Sequence, residues 1–326
     1  KAFLTSYPGS VHAADIRFLL ALHYCQTEQF NLAKEQFEKL SYNSLTKYNR
    51  QRYDIRMGYI EFIEGNMDKS LEYFNRISPL CEVADHALYY KSYIYYSRGE
   101  LNKAYEGFKA LEKSDAYSKL IPFYLLQLEF ERENYRYVTN NCDPILKSAQ
   151  GPERAVVMRL AAESWFRLDG YNKALQYITA YAKSNNGKMS REDNYLLGYT
   201  AYRTADYASA VGPLKAACDG TDSLAQNASY HLADCYIRLG DKRNAIRAFA
   251  MAADERFNNE IAEDALFNYG KLLFETGGGT FNESINVLAR YLNRYPNTAR
   301  TEEAKELLIA AYYNSKDYDM AYGTTL

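Results

Sequence analysis

Small side chains return along this chain at a nearly constant interval and in one local context. Ala33, Ser70, Ala104, Ala174, Ala210, Ala245, Ser284 and Ala321 mark the interval, and Val138 holds the corresponding place between Ala104 and Ala174. The steps between successive markers run from 34 to 39 residues. A large apolar residue follows four positions later in most units, as Phe37, Phe74, Phe108, Ile178, Leu214, Phe249 and Leu288. A period this long belongs to a supersecondary unit rather than to one helix or strand. Spacings of three and four within each unit place the apolar residues on one face of a helix. A small residue at a fixed place lets a second helix approach closely, so the chain is expected to be a series of helix pairs.

The same register extends upstream of each marker. It falls on Ala21 and Tyr24, Gly58, Ser92 and Tyr95, Ala162 and Trp165, Leu197-Gly198, and Leu232-Ala233-x-x-Tyr236. Gly65, Gly99, Gly170 and Gly240 stand where first helices should end, and each is expected to form a left-handed cap. Ser190 with Asp193 opens a helix as a variant capping box. No useful stretch alternates with period two, so no sheet is expected. Departures cluster in the fourth unit, where Val138 replaces the small residue, Cys142 the large one, and Pro122 and Pro144 intervene. Pro213 falls inside another second helix and is expected to bend it. The eighth unit carries an enlarged turn, Thr276-Gly277-Gly278-Gly279-Thr280, and closes on Tyr291-Leu292-x-x-Tyr295-Pro296.

This spacing resembles the tetratricopeptide repeat. The resemblance implies an all-α fold, a right-handed α-solenoid of antiparallel helix pairs, with about nine repeats forming a single array over residues 1–326. The approximate units are 11–44, 47–81, 84–115, 118–150, 153–187, 190–222, 225–259, 262–298 and a truncated 301–326. In that family the first helices line a concave groove. Carried over by place, the groove residues are Tyr59 and Phe62 (with Ile55), Tyr89, Tyr93 and Tyr96, Arg159 and Glu163 (with Phe166), Tyr195, Tyr199 and Tyr202, and Tyr230 and Asp234 (with Ile237). The first unit contributes Phe18, Leu22 and Cys25. The last residue of each trio is expected to pack between neighbouring first helices. Tyr93 and Tyr199 are expected to stand open to the groove. Replacing both by Ala should then weaken partner binding with little change in melting temperature.

Composition narrows the function classes. The net charge is −2, from 39 basic and 41 acidic side chains, where a nucleic-acid binder normally shows a basic excess. The groove positions carry no clustered Lys and Arg of the kind that would clamp a terminal carboxylate. Tyr is the outlier, at 33 residues against 15 Phe and one Trp. Its ring and hydroxyl suit half-buried seams and recognition surfaces. The five cysteines form no CxxC pair and read as single buried thiols, with Cys218 and Cys235 the nearest to a disulfide candidate. His12, His23, His86 and His231 form no HExxH, and no metal or cofactor is expected. The triple glycine lacks the Lys and Ser/Thr of a phosphate loop, and no GxSxG elbow occurs. Asn227-Ala-Ser229 and Asn282-Glu-Ser284 fit the glycosylation sequon.

No run of 18 or more apolar residues predicts a membrane span. The expected role is therefore a non-catalytic scaffold that binds a protein or peptide along a Tyr-rich groove. Carbohydrate or cell-wall glycan binding on the same rings is the alternative reading. Tyr7-Pro8-Gly9-Ser10 and Tyr295-Pro296-Asn297-Thr298 are similar to junctions in tetratricopeptide proteins of Gram-negative envelopes. That similarity implies a periplasmic or outer-membrane-associated assembly, with cytoplasmic residence left open. The chain begins as the end of a repeat and stops inside one, so a longer protein is expected.

Overall fold

The computed structural model describes residues 2–7, 9–254, 257–277 and 281–325. Pro8 and the Gly278-Gly279-Thr280 part of the enlarged turn lie outside the described residues. The described residues are helical throughout apart from their connecting turns, with no strand among them. The chain divides into two compact units, Lys1–Glu133 and Asn134–Leu326. The division falls inside the span expected for the fourth repeat.

The first unit contains α1 (Ala2–Ser6), α2 (Ala13–Gln26), α3 (Phe30–Glu38), α4 (Lys47–Ile63), α5 (Met67–Asn75), α6 (Ala84–Ser97), α7 (Leu101–Ala110) and α8 (Ile121–Glu131). Helices α2 and α3, α4 and α5, and α6 and α7 pack as pairs, and α8 rests on α7. The second unit opens with α9 (Tyr135–Ser148), which packs on α10 (Gly151–Arg167). Five pairs follow: α10 with α11 (Tyr171–Ser184), α12 (Arg191–Arg203) with α13 (Tyr207–Ala217), α14 (Ser223–Arg238) with α15 (Lys242–Asp254), α16 (Asn259–Thr276) with α17 (Asn282–Arg294), and α18 (Thr301–Asn314) with α19 (Tyr318–Thr325). Successive first helices, such as α10, α12, α14, α16 and α18, also touch one another directly.

All nine markers of the sequence period are buried, on the second helix of each repeat. Small residues on the first helices, Gly58, Gly198 and Gly270 among them, lie close against their second helices. At Gly198 an added Cβ would lie 2.8 Å from the backbone nitrogen of Leu214, so a side chain there would force the helices of the pair apart. Where the marker is Ser the hydroxyl is satisfied locally. Ser70 donates to the Gly58 carbonyl at 2.8 Å and Ser284 to the Gly270 carbonyl at 3.4 Å. The large residue four positions on fills the seam, and Phe37, Phe74 and Phe108 are among the largest fully buried side chains. Burying one such ring contributes about 2–3 kcal/mol.

Among the described residues one left-handed residue stands in the turn that follows α2, α4, α6, α8, α10, α12, α14 and α18, at Glu28, Gly65, Gly99, Glu133, Asp169, Ala205, Gly240 and Lys316. Gly65, Gly99 and Gly240 therefore cap as expected, while Gly170 does not. Its φ is −81°, and Asp169 before it takes the left-handed place at +58°. Gly170 is small for a different reason: a Cβ there would meet the Trp165 ring at 2.5 Å. Ser190 accepts the Asp193 amide at 3.0 Å, the N-cap half of the expected box. Helices α9 and α13 run through Pro144 and Pro213. The Tyr295-Pro296 junction is held by Thr301, which accepts from the Thr298 amide at 2.9 Å and donates to the Tyr295 carbonyl at 3.3 Å.

All five cysteines are free thiols, which removes the Cys218–Cys235 disulfide candidate. Cys218 instead donates to the Leu214 carbonyl at 3.2 Å within its own helix turn. Four of the five are buried, and Cys81 is half-buried. Both sequons lie at or within helices, with Ser229 and Ser284 buried. No helix among the described residues is long and apolar enough to cross a membrane.

Candidate functional site

The sequence singles out positions on first helices, and those helices carry most of the ring contacts. Phe18, Leu22 and Cys25 are buried in the seam with Phe37 and Ile60, and Ile55 is buried beside Phe74 and Ile77. These four belong to the core, and Phe18 lies edge-on to Phe37 of the second helix at 6.0 Å. Tyr59, Phe62, Tyr89, Tyr93, Tyr96, Arg159, Glu163, Tyr195, Tyr199, Tyr202, Tyr230 and Asp234 are all half-buried. Tyr93, expected to stand open, is half-buried with Phe62 and Tyr124 edge-on to it, and Tyr199 is half-buried among Phe166, Tyr195 and His231. Ile237 is exposed.

In the first unit the rings interlock across repeats. Tyr59 lies edge-on to Phe30 at 5.7 Å and tilts against Tyr90 at 5.3 Å. Phe62 meets Tyr90 at 5.2 Å and Tyr93 at 5.7 Å. Tyr124 on α8 is the hub: Tyr89, Tyr93 and Tyr96 all present edges to it, and Phe108 stacks on it at 4.7 Å. Tyr89 stacks on Tyr117 at 4.5 Å, and its hydroxyl lies 3.1 Å from that of Tyr124. The Tyr96 hydroxyl donates to Gln127 at 3.2 Å. Burial pushes the Tyr89 hydroxyl well above its ordinary pKa, so it stays a neutral donor.

The second unit treats the same kind of ring differently. Tyr202 donates to Asp234 at 2.8 Å, and Tyr230 donates to Asp264 at 2.8 Å, each one repeat further on. Burial first, then the carboxylate neighbour, holds both hydroxyls protonated. Arg203 donates to the Tyr171 hydroxyl at 2.8 Å and to that of Tyr199 at 3.2 Å, with its guanidinium 4.1 Å from the Tyr171 ring centre. His231 stands among Tyr199, Tyr202 and Tyr230 at ring separations of 4.6, 5.0 and 5.5 Å. Its buried Nδ1 has no hydrogen-bond partner, and burial pulls its pKa down to about 4.

Next to this cluster the N-terminal halves of α12 and α14 and the last turns of α10 enclose a cavity of about 540 Å³. Arg159, Glu163, Phe166 and Tyr195 contribute to it, together with Arg167 and Asn227, which the groove positions did not include. Arg159 donates through Nε to the buried Asp193 at 2.7 Å. Glu163 sits between Arg159 at 3.8 Å and Arg167 at 3.3 Å. Asn227 spends its amide on the Ser223 carbonyl at 2.7 Å. The cavity thus offers an apolar wall of Phe166 and Tyr195 with fixed charges of both signs at its rim. Asp193 was legible as a cap residue, but nothing in the sequence showed that Arg159 from the preceding repeat would reach it. Among the described residues no three His, Cys, Asp or Glu side chains gather as a metal ion would require.

Stacked antiparallel pairs with a small residue at each crossing define a helical-repeat protein of the kind that presents extended faces. The comparisons with known proteins agree with that class. Residues 264–298 match the tetratricopeptide repeat family, and residues 180–252 match the family described as anaphase-promoting complex, cyclosome, subunit 3. The stretch at 264–298 is thus similar to a single tetratricopeptide repeat, in keeping with the paired helices around it. No curated protein matches it. Among solved structures it is similar to YrrB, a tetratricopeptide protein described with an unusual peptide-binding site, at 16% identity and a TM-score of 0.49, covering 62% of this chain and 100% of that one. It is also similar to the apo form of RapI, at 13% identity and a TM-score of 0.47, covering 93% and 98%. A tetratricopeptide protein from Parabacteroides merdae is similar at 14% identity and a TM-score of 0.44, covering 80% and 98%.

Proposed function

We propose that this chain is a non-catalytic scaffold whose second unit receives an extended segment of another protein on its first-helix face. The observation that carries the reading is the cavity of about 540 Å³ shared by α10, α12 and α14. It joins an aromatic wall to charges held in place by ion pairs, the mixture that fixes a peptide's register and orientation. The rings around it suit a peptide better than a sugar. Tyr195 is stacked on Tyr199 at 5.6 Å, and Tyr199 is edge-on to Phe166, which leaves few free ring faces for a pyranose to cover.

The test is affinity capture with the whole protein, comparing Arg167→Glu with Asn227→Ala against a control reversal on α11, Lys173→Glu. Proteins retained by the parent and the control but lost from the double variant, at unchanged melting temperature, support the reading. Identical retention by all three rejects it. Residence in a Gram-negative envelope belongs to the same proposal and is supported by the Tyr-Pro-Asn-Thr junction at 295–298. Fractionation of cells making the native protein tests it, and a wholly cytosolic distribution would remove it.

A further inference from the structure

Helix α4 carries an unusual charge pattern. Between Lys47 and Arg56 it has four cations, Lys47, Arg50, Arg52 and Arg56, and one carboxylate, Asp54. Asp54 is fully buried and accepts from the Tyr42 hydroxyl at 2.7 Å, so it is not available to the surface. Arg50 is engaged with the Asn43 carbonyl at 2.6 Å. Among the described residues Lys47, Arg52 and Arg56 have neither an ion pair nor a hydrogen bond. Some first-helix cations elsewhere are matched by carboxylates, as in Arg159 with Asp193 and Lys271 with Glu303, whereas α4 gathers three without one. The three free cations also work against their own helix. Lys47 is its first residue, where the helix dipole disfavours positive charge. Arg52 and Arg56 are like charges one turn apart, a mildly destabilising pair. Arg52 lies over the Phe18 and Tyr48 rings at 5.7 and 5.5 Å, but the two charge conflicts remain, and an anion laid along the face would relieve both.

A cavity of about 350 Å³ opens beside these cations, between the start of α4 and the connection leading into α6. Its walls are the Tyr48 ring and the stems of Lys47 and Arg52 on one side, and Cys81 and Val83 on the other. Tyr48 is 61% exposed, with the Arg52 guanidinium 5.5 Å from its ring centre. Gln51 holds the far wall in place by accepting the Ser78 amide at 2.7 Å. Glu82 is the one carboxylate among the lining residues. The surface is therefore an apolar socket with a cationic rim.

We propose that this face of α4 binds an acidic protein segment that seats one apolar side chain in the socket and lays carboxylates along Lys47, Arg52 and Arg56. Charge complementarity commits the occupant to an anion, and the apolar socket commits it to a peptide. A nucleic acid held through its backbone would need several more phosphate contacts than three free cations supply, on a chain whose net charge is −2.

The experiment uses the whole protein and a fluorescein-labelled twelve-residue peptide of Asp and Glu with two central Leu residues, followed by fluorescence anisotropy. Lys47→Glu with Arg56→Glu, two exposed positions without partners, should weaken binding at least tenfold. Glu82→Lys should tighten it several-fold. Replacing the two Leu by Ser should weaken it at least threefold. Bound peptide should also slow alkylation of Cys81, the one cysteine that is not buried. Three results would each overturn the proposal: equal binding by the charge-reversed variant, equal binding of a peptide with Lys for every acid, and equal binding of the Ser peptide. Tighter binding of a twelve-nucleotide poly-dT, with the same dependence on Lys47 and Arg56, would assign the surface to nucleic acid instead and overturn it too.

Discussion

The two units use tyrosine on their first helices in opposite ways. In the first unit the hydroxyls find other rings or neutral groups: Tyr89 meets Tyr124, Tyr96 meets Gln127, and Tyr117 meets Nδ1 of His86 at 2.7 Å. In the second unit Tyr202 and Tyr230 donate to Asp234 and Asp264. Asp264 is in turn paired with Arg300 from the next connection. The difference teaches that the residue type alone does not decide what a groove tyrosine does. What the next repeat supplies, one period away, decides it. A face of ring on ring is held by dispersion and burial, which salt and pH leave largely alone. A ladder of hydroxyl to carboxylate is held by charge-assisted hydrogen bonds, which are stronger but depend on ionisation.

The strongest way to break this contrast is to remove a ring from the first unit. Phe108 is fully buried, stacked on Tyr124 and in contact with Tyr89. Phe108→Ala should cost about 3–5 kcal/mol in urea unfolding, the usual range for a core Phe replaced by Ala. A loss below about 1 kcal/mol would show that the rings do not act as one cohesive cluster. Next in size is acid sensitivity of the second unit. His231 is held neutral, with a pKa lowered to about 4 from an ordinary value near 6.5. Asp234 on its own helix favours the charged form, Arg203 on α12 opposes it, and the rings of Tyr199, Tyr202 and Tyr230 face the imidazole. The unfolded chain takes up the proton first as pH falls. The contribution is therefore complete above about pH 6.5, lost between there and about pH 4, and constant below. Its size is about 2 kcal/mol once partial exposure is allowed for. His231→Phe should flatten that part of the stability profile, and an unchanged slope would remove the histidine from the account.

A smaller effect sharpens the same comparison. Tyr202→Phe deletes a donor to a carboxylate and should cost about 1.5–2 kcal/mol, because hydrogen bonds to charged groups contribute more than neutral ones. Tyr89→Phe deletes a bond between two hydroxyls and should cost about 0.5–1 kcal/mol. Equal losses from the two substitutions would erase the distinction drawn between the faces.

The pairing of helices was legible because it rests on one small residue per repeat, and a period of about 36 survives imperfect copies such as Val138. The inner seams were legible too, since a large residue four positions after the marker must lie on the same face. The ladder was not. Tyr202 and Asp234, or Arg159 and Asp193, are separated by roughly one repeat, and which of several neighbours at that distance they meet depends on the stagger between repeats. Side-chain length decides the rest: Arg159 crosses to α12, while Arg167 turns back onto Glu163 of its own helix. The cavity beside Tyr195 was hidden for the same reason, because Arg167, Glu192 and Asn227 lie on its rim only once three helices are in place.

The turn inside each pair was half legible, and it supports the finest prediction. Glycine is the expected left-handed residue, and three of the eight described sites carry it. At the others Glu28, Glu133, Asp169, Ala205 and Lys316 adopt φ between +55° and +64°, a conformation that costs an L-residue roughly 1 kcal/mol. The repeat absorbs that cost because the amide of the following residue bonds back to the first helix, as Asp206 does to the Ala201 carbonyl at 2.9 Å. Ala205 is exposed, so its methyl group contributes little packing to offset the strain. Ala205→Gly should therefore raise the stability of the second unit by about 0.5–1 kcal/mol, part of the relief being returned as greater freedom of the unfolded chain. Gly99→Ala at the equivalent turn of the first unit, where nothing lies within 4 Å of an added Cβ, should lower it by a similar amount. Opposite signs of similar size, read as midpoints of urea unfolding, would mean the two units share one turn whatever residue fills it. A loss from Ala205→Gly would mean that the alanine turn is held by something its backbone geometry does not show.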